Sequence, residues 1–337
     1  GFAAFDVPAI IGWANRNFTF ATYLYLLLNP SDALPRYGLA AALSSIAMAV
    51  AAAMSLWYAG MNARAQRFAV VTGKAYRPRL VALGWRAAIA WTLIGLYFLL
   101  SKIMPIAVLV WSSLLPFFQL PSERAFRVVS LKHYYELPWD LMLRALGNTT
   151  VLAVLTPTIT LAVALAFSWV VLRSRLRRRD VFDTIAFLPH AVPSVVFGVG
   201  ALLLALFVFQ KIAPLYGTIW LLLIVFVIAR ISYATRMTNA GLVQIHPELE
   251  ESAAVSGATT FKAFCRVSIP LMAATLLYAW LWIALLTFRE LTLAVIMTTS
   301  GNVTFPVVVW TIWLGGGLAP ASAVAVVMLL MMTPLIA

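Results

Sequence analysis

The residues best placed to do chemistry in this sequence lie in one polar stretch, 245–270, between two strongly apolar segments. Pro247 is followed by three glutamates, Glu248, Glu250 and Glu251. A proline suits the first turn of a helix, and carboxylates there face the positive end of the helix dipole. Gly257 is then expected at the C-terminal cap, because a residue without a Cβ takes the left-handed conformation easily. The stretch therefore predicts a short acidic helix that ends at a glycine.

A second helix is expected directly after this glycine. Thr259 or Thr260 can cap its N-terminus, since a hydroxyl oxygen can accept a hydrogen bond from a free backbone N–H of the first turn. The helix is predicted to run on through an apolar pattern of Phe261, Phe264 and Val267 to Pro270. The whole stretch is thus a helix–glycine–helix loop that leads into the next apolar segment.

Composition places the chain in a membrane. Apolar residues make up 63% of it and charged residues 10%, whereas a soluble domain carries about 25% charged residues. The net charge of +13 does not require a nucleic-acid partner, because basic residues flank membrane spans on the cytoplasmic side. The single cysteine, Cys265, excludes an intrachain disulfide framework. We therefore expect an all-α integral membrane protein, a polytopic helical bundle whose partner is the lipid bilayer.

The apolar segments predict about seven transmembrane helices. A helix needs about 20 residues to cross the hydrocarbon core of a bilayer. Segments of that length lie near 38–60, 87–115, 147–172, 184–210, 215–235, 269–288 and 319–337. The chain has no initiator Met and stops inside an apolar run, so we expect it to be a piece of a longer polypeptide.

Basic residues orient these spans. The segments 62–86, 173–183 and 230–268 hold six, five and four Lys or Arg residues, which is fifteen of the 24 in the chain. Alternation of the spans brings all three to one side, and the positive-inside rule makes that side the cytoplasm. The run Arg173–Arg179 is interpreted as a topology anchor. The other side is expected to hold residues 1–37, 116–146, 211–214 and 289–318.

An internal repeat predicts two membrane halves. Asn17-Phe-Thr-Phe20 and Asn302-Val-Thr-Phe305 match at an offset of 285, and Ala9-Ile-Ile11 aligns with Ala294-Val-Ile296 at the same offset. Repeats of this kind are typical of transporters. The predicted organisation is the C-terminal end of a first half at 1–61, a basic cytoplasmic connector at 62–86, a first span and extracytoplasmic loop of the second half at 87–143, and its main domain at 144–337.

The sequence predicts neither a catalytic nor a metal site. Thr72-Gly-Lys-Ala75 lacks the upstream glycine and the hydroxyl residue of a phosphate-binding loop. The three histidines lie on different segments without partners at metal spacing, and no nucleophile–base pair can be assigned. Gly198 is expected to permit close helix packing. We therefore expect no enzyme and no resident cofactor.

Charges within the spans are few. Arg289 and Glu290 are expected at the outer membrane boundary, with a place in the permeation path as the alternative. Arg230 is expected one turn from the cytoplasmic end of its span, where its side chain can reach the interface. Because ionisable residues are scarce at lipid depth, a proton- or sodium-coupled carrier is disfavoured and the driving force should come from elsewhere.

The polar loop resembles a known family. Glu251-Ser-Ala253, three residues, Gly257, nine residues and then Val267-Ser-Ile-Pro270 is similar to the EAA loop of binding-protein-dependent ABC importer permeases. The family pattern is Glu-Ala-Ala, three residues, Gly, nine residues, Ile, any residue, Leu-Pro. Ser252, Val267 and Ile269 depart from it by small or conservative changes. The resemblance implies a type-1 permease domain over 144–337.

The resemblance also implies partners. In this family the loop is a coupling helix that docks on a separate ATPase subunit, so the implied contact residues are Glu251, Ser252, Ala253, Gly257, Val267, Ile269 and Pro270. This chain would bind no cofactor, because ATP and magnesium belong to the partner ATPases, which we expect as a pair. A periplasmic binding protein would deliver the substrate, and the chain would be a multi-pass protein of a bacterial inner membrane.

The two-half layout, the connector residues Thr72–Arg79 and the segment Phe5-Asp-Val-Pro8 are similar to the permeases that import iron(III). That resemblance implies ferric iron as the substrate, while thiamine, polyamines and phosphonates, which similar fused permeases import, stay open. Two hypotheses from other classes are an ion-coupled secondary carrier and a membrane scaffold that transports nothing.

Overall fold

The structure, a computed structural model, describes residues 4–13, 15–30, 34–65, 84–174, 176–177 and 179–336. Most of the predicted connector 62–86 lies outside these residues. Within them every regular element is helical, which confirms the all-α prediction. The helices are α1 (Asp6–Gly12), α2 (Phe20–Leu28), α3 (Tyr37–Ala65), α4 (Arg86–Ser113), α5 (Glu123–Arg127), α6 (Lys132–Tyr135), α7 (Trp139–Arg173), α8 (Arg179–Ala191), α9 (Ser194–Phe207), α10 (Ile219–Val243), α11 (Glu248–Val255), α12 (Thr260–Leu271), α13 (Ala273–Phe288), α14 (Thr292–Met297), α15 (Phe305–Leu314) and α16 (Leu318–Ile336).

Six helices in the described ranges are long and apolar enough to cross a bilayer, namely α3, α4, α7, α9, α10 and α16. A seventh candidate is the pair α12 and α13, whose axes differ by 73°. The predicted span at 184–210 is wrong at its start, because α8 ends before Pro193 and the apolar helix begins at Ser194. Proline disfavours the helical conformation in the residue before it, which accounts for the break.

The chain divides into two compact units. The first comprises Gly1–Ser55, Asp140–Val308 and Met332–Ala337, and the second comprises Leu56–Trp139 and Val309–Met331. In the first unit α10 is the central helix and packs against α8, α9, α13 and α14. Its core is formed with α7 and α13 by small and branched side chains, which let membrane helices approach closely. These residues are Leu161, Ala164, Ile231, Ala234, Ala279 and Ile283.

In the second unit, the loop after α4 folds back on the end of that helix. Ser113 Oγ and Tyr134 Oη are 2.7 Å apart, and the His133 ring contacts the Leu115 carbonyl at 3.1 Å. The Trp111 indole donates to the Gln119 carbonyl at 3.0 Å. The predicted loop between the first two spans of the second half is therefore ordered by its own polar contacts.

The two repeat segments form the same elements in the same order. The helices α1 and α14 start at Asp6 and Thr292, which are 286 positions apart. The following helices, α2 and α15, start at the phenylalanines of the two Asn-x-Thr-Phe matches, Phe20 and Phe305, which are 285 positions apart. Each repeat thus consists of a short helix, a polar loop and a second helix.

Residues 289–318, which are expected on the extracytoplasmic side, contain the two helices α14 and α15. Every residue of α14 is buried, and α14 packs against α9 and α10. A Cβ on Gly198 of α9 would come within 3.0 Å of Ile296 Cδ1, so this glycine permits the close packing that its position predicts. A hydropathy test that requires about 20 residues misses short buried helices of this kind.

The span around Arg230 also differs from its prediction. The helix α10 continues to Val243, so Arg230 lies thirteen residues from its end, about 20 Å at 1.5 Å per residue. Polar residues that suggested an earlier end are accommodated inside the bundle. Ser232 donates to the Ala186 carbonyl at 2.8 Å, and Ser168 Oγ is 2.5 Å from Thr238 Oγ1. Arg230 is therefore at the middle of its helix and not one turn from the cytoplasmic end.

Candidate functional site

The polar loop has the predicted helix–glycine–helix form. The helix α11 begins after Pro247, has its three glutamates in the first turn, and ends at a glycine with a φ of +87°. The Gly257 N–H donates to the Ala254 carbonyl at 2.9 Å, and the Ala258 N–H donates to the Ala253 carbonyl at 3.0 Å. This pair of bonds is a Schellman motif, which satisfies carbonyls that the helix end leaves free.

The second helix of the loop begins as predicted at Thr259, whose hydroxyl accepts from the Lys262 N–H at 3.3 Å. Residues Phe264–Ser268 form a π-helical turn inside α12. After Leu271 the chain bends at Met272 into α13. The loop therefore joins α10 to α13 through two short helices, and it is continuous with both membrane helices.

The predicted contact residues divide by exposure. Glu251, Ser252, Gly257 and Pro270 are exposed, whereas Ala253, Val267 and Ile269 are partly buried. Two large apolar side chains of the loop are also exposed, Val255 at 90% and Phe261 at 76%. Exposed apolar side chains beside polar ones on a loop are typical of a protein-binding surface. We call Glu251, Val255, Gly257 and Phe261 the loop surface.

A polar clamp attaches α11 to the ends of three other helices. Arg173, the last residue of α7, donates from Nε to Glu250 Oε1 at 3.2 Å. The same guanidinium donates from Nη2 to the carbonyls of Leu242 at 3.2 Å and Ile245 at 2.8 Å. Ser268 Oγ donates to Glu250 Oε1 at 2.5 Å. Both charged side chains are mostly buried, at 14% and 13% exposure.

Sequence reasoning missed this clamp. From the sequence, Arg173 is part of a predicted topology anchor, and Glu250 is only an acid at a helix start. Their separation of 77 positions leaves no local pattern that could pair them. One signal was present, because Arg173 is the first charge after a long apolar span and therefore the basic residue of the run closest to that span.

A second charged site lies at the break between α13 and α14. Arg230 of α10 forms an ion pair with Glu290, and both side chains are mostly buried, at 14% and 12% exposure. Arg230 also donates to the Leu286 carbonyl at 3.4 Å, in the last turn of α13. Glu290 Oε1 accepts from the Leu293 N–H at 3.1 Å, in the first turn of α14. The pair thus caps both sides of the break.

The same geometry locates Glu290 relative to α10. Glu290 pairs with Arg230, so it lies beside the middle of that helix. The Thr292 hydroxyl donates to Asp6 Oδ1 at 3.0 Å, which brings α1 to the same place. Asp6 and Arg289 are exposed on the surface of the first unit. The outer boundary and the permeation path both stay predictions for Arg289 and Glu290.

These features define a class, that of polytopic helical membrane proteins with a structured polar loop between two spans and a buried ion pair between helices. Residues 158–337, more than half of the chain, match the family described as binding-protein-dependent transport system inner membrane component. The chain belongs to this family. It is therefore a transport component of the inner membrane and not an enzyme, as the resemblance implied.

Relatives in this family differ in cargo. The chain is 26% identical over 168 residues to the Fe(3+)-transport system permease protein FbpB 2 of Haemophilus influenzae, and the aligned stretch covers 50% of this chain and 33% of that protein. It is 26% identical over 258 residues to the putative 2-aminoethylphosphonate transport system permease protein PhnV of Salmonella paratyphi A, and that alignment covers 73% of this chain and 92% of that protein. The putrescine transport system permease protein PotI of Escherichia coli is 26% identical over 181 residues, 51% of this chain and 62% of that protein.

A solved structure shares the fold. In the crystal structure of a bacterial alginate ABC transporter in complex with an alginate pentasaccharide-bound periplasmic protein, one chain aligns with a TM-score of 0.59 and 16% identity. The alignment covers 75% of this chain and 93% of that one. At this identity the likeness concerns the fold alone, and it confirms the helical permease architecture.

Proposed function

We propose that this chain is the permease subunit of an ATP-driven importer and that its loop 245–270 binds a separate ATPase subunit. The observation that carries the proposal is the loop itself. It has a capped acidic helix, a glycine turn with a φ of +87° and two exposed apolar side chains, and it stands between two membrane helices. A partner docked on Val255 and Phe261 would cover these exposed apolar side chains.

The clamp supports this role because it connects the loop directly to the ends of the membrane helices. A partner that displaces α11 also displaces Glu250, and through Arg173 it acts on the ends of α7 and α10. Since α12 continues into α13, three membrane helices share the motion. Rigid-body movement of such helices is how alternating-access transporters change the side to which they open. Closure of ATP-bound partners would drive that movement, so this chain needs no ATP or magnesium of its own.

Ferric iron, delivered by a periplasmic binding protein, is the substrate that we propose. The similarity to an iron(III) permease of Haemophilus influenzae supports it. The similarities to permeases for 2-aminoethylphosphonate and putrescine support two other cargoes. In the described part of the chain, no three His, Cys, Asp or Glu residues lie together as metal ligands. The proposal accordingly assigns recognition of iron to the binding protein.

Reconstitution tests the proposal. The natural full-length permease is placed in proteoliposomes with its cognate ATPase, and cargo-loaded binding protein is added outside. We expect ATP-dependent uptake of ferric iron and stimulation of ATP hydrolysis by loaded binding protein. Uptake of 2-aminoethylphosphonate or putrescine in place of iron would show that the proposed substrate is wrong. It would leave the proposed class, an ATP-driven importer, unchanged.

The two rival classes give different results in the same experiment. An ion-coupled carrier would accumulate cargo under a proton or sodium gradient without the ATPase. A membrane scaffold would give no flux with any cargo, although the ATPase could still bind. Either result overturns the proposed importer.

A further inference from the structure

An apolar groove lies between three helices of the first unit, α3, α9 and α10. It has a volume of about 340 Å³. Its rim includes Met48, Leu204 and Ile224, which are 46–50% exposed. The residues of its floor, each no more than 4% exposed, are Val196, Val199, Leu221 and Val225. The groove is therefore open to the surroundings of the helices, while its floor lies inside the bundle.

Water is a poor occupant of this groove. Among its described lining residues two have polar side chains, Ser44 and Ser45, and the Ser45 hydroxyl already donates to the Ala41 carbonyl at 2.9 Å. A bound water needs about two to four polar partners, and apolar cavities without them stay dry. All three helices are long and apolar enough to cross a bilayer, so the groove opens toward hydrocarbon. Its occupant is therefore apolar.

The size of the groove favours a lipid chain over another helix. Its lining residues on α10 begin at Leu221 and end at Ile228, which are seven positions apart, about 10 Å at 1.5 Å per residue. One turn of a helix about 10 Å in diameter and about 5.4 Å in pitch occupies roughly 420 Å³. That is more than the volume of the whole groove. A thin, flexible acyl chain fits where a helix does not.

Two basic residues lie at one end of the groove. The helix α9 ends and α10 begins at this end, because a single loop joins them. Tyr37, at the start of α3, contacts Phe207, at the end of α9, with ring centroids 6.4 Å apart. Arg36 directly precedes Tyr37, and Lys211 follows Phe207 by four positions. Both basic residues are exposed, and neither has an ionic partner in the part of the chain that the structure describes.

This arrangement matches the two parts of a phospholipid. Aromatic and basic residues at the ends of membrane helices are typical of the membrane–water interface, where the lipid phosphates lie. Basic side chains between membrane helices bind anionic headgroups, and an arginine can donate two parallel hydrogen bonds to one phosphate. An acyl chain that starts at Arg36 and Lys211 would run from the interface into the groove. Charge and apolar surface are therefore both complementary to a lipid.

We propose that the groove binds one anionic phospholipid, with an acyl chain between α3, α9 and α10 and its phosphate at Arg36 and Lys211. This site is distinct from the loop surface, because the loop 245–270 follows the other end of α10. The inference does not depend on the proposed importer function. A lipid in this place connects α3 to α9 and α10 and replaces side-chain contacts that the groove lacks.

Gly200 allows the groove to be filled by a side chain. It lines the groove, and a Cβ on it would meet no atom within 4 Å. Gly200→Phe therefore places a ring where the acyl chain would lie, without a clash at the Cβ. Gly95 of α4 is the matched control. Its Cβ would also meet no atom within 4 Å, and the surrounding residues Arg86–Phe98 include no buried one.

Native mass spectrometry tests the site. The natural full-length permease is purified, stripped of lipid in detergent and incubated with equal amounts of phosphatidylglycerol and phosphatidylethanolamine. We expect one phosphatidylglycerol to stay bound to each wild-type chain in preference to the zwitterionic lipid. Gly200→Phe should lose this lipid, and Gly95→Phe should keep it.

The headgroup contact is tested in the same experiment. Arg36→Gln with Lys211→Gln should remove the preference for phosphatidylglycerol, because the two positive charges are lost. The matched control is Arg124→Gln with Arg127→Gln, which removes two exposed basic residues of the helix α5, after α4. This control should keep the wild-type preference.

Retention of phosphatidylglycerol by Gly200→Phe would overturn the site, as would equal retention of the two lipids by the wild type. A complex of two permease copies that Gly200→Phe dissociates would show that protein, and not lipid, covers the groove. If thermal unfolding shows that Gly200→Phe is not folded, the double variant of Arg36 and Lys211 decides. An unchanged preference for phosphatidylglycerol in that variant would contradict the proposal. None of these measurements uses the ATPase or a cargo, so failure of the proposed importer leaves them unaffected.

Discussion

Arg173 and Glu250 join the end of a membrane helix to the loop helix, with Nε of one 3.2 Å from Oε1 of the other. The same guanidinium donates to two carbonyls at the end of α10, and Ser268 donates to the same carboxylate oxygen. The carboxylate is thus held from α7 and from α12 at once. A displacement of α11 cannot occur without moving the ends of these helices or breaking the clamp.

Replacing Glu250 should damage both stability and coupling. Glu250→Ala leaves Arg173 without its ionic partner in a mostly buried place, and loss of one partner of a buried pair costs about 3–5 kcal/mol. We expect a lower unfolding temperature in detergent and less cargo moved per ATP hydrolysed. The charge exchange Arg173→Glu with Glu250→Arg should recover part of both. The surface pair Lys132–Glu136, whose side chains are 69% and 60% exposed, supplies the control, since Glu136→Ala should change stability by no more than about 0.5 kcal/mol.

The ion pair at the break between α13 and α14 should behave as a unit. Glu290→Leu leaves the mostly buried Arg230 guanidinium without its ionic partner and removes the acceptor for the Leu293 N–H, so we expect a marked loss of thermal stability. The double variant Arg230→Met with Glu290→Leu removes both charges and should be more stable than Glu290→Leu alone. Thermal unfolding of the purified variants measures the difference. A double variant less stable than Glu290→Leu alone would show that the unpaired charge of Arg230 is not the main cause of the lost stability.

Gly257 should tolerate asparagine better than alanine. Its φ is +87°, and no atom lies within 4 Å of the place where a Cβ would stand, so the cost of a side chain is conformational and not steric. For most L-residues a left-handed conformation costs about 1–2 kcal/mol, whereas asparagine adopts it more readily. We expect weaker ATPase binding for Gly257→Ala, near-normal binding for Gly257→Asn and loss of coupling for Gly257→Pro. Normal transport by the proline variant would show that the turn at Gly257 is not part of the ATPase contact.

Close packing of α10 against α13 depends on Gly241. An added Cβ would lie 3.0 Å from Met272 Cε and 3.2 Å from Thr275 Cγ2, and the branched threonine has little freedom to move away. We expect Gly241→Ala to lower the thermal stability of the protein. Gly147 of α7 is the matched control, because its Cβ would meet no atom within 4 Å and alanine is the better helix former. The two substitutions should therefore act in opposite directions.

Local rules predicted the loop, and contacts between distant segments explain what they missed. The caps at Gly257 and Thr259 follow from residue type alone, and the structure has both. The length of α10 does not follow, because the polar residues of its second part are satisfied by Ala186 and Ser168 on other helices. Arg230 and Glu290 are 60 positions apart, so their pairing is visible only after folding. Pro193 signals the break before Ser194. Hydropathy averaged over about 20 residues does not detect this break, because the residues on both sides of it are apolar.

Binding of the ATPase to the loop surface is the most direct test of the central proposal. Val255→Asp with Phe261→Asp places charge on the two exposed apolar side chains of the loop, and Leu120→Asp places the same charge on an apolar side chain of the loop after α4 that is 76% exposed. The affinity of purified full-length permease for its cognate ATPase is measured for each. We predict that the loop variant loses binding while keeping its thermal stability, and that Leu120→Asp binds normally. Unchanged affinity in the loop variant would contradict the assignment of residues 245–270 as the ATPase contact.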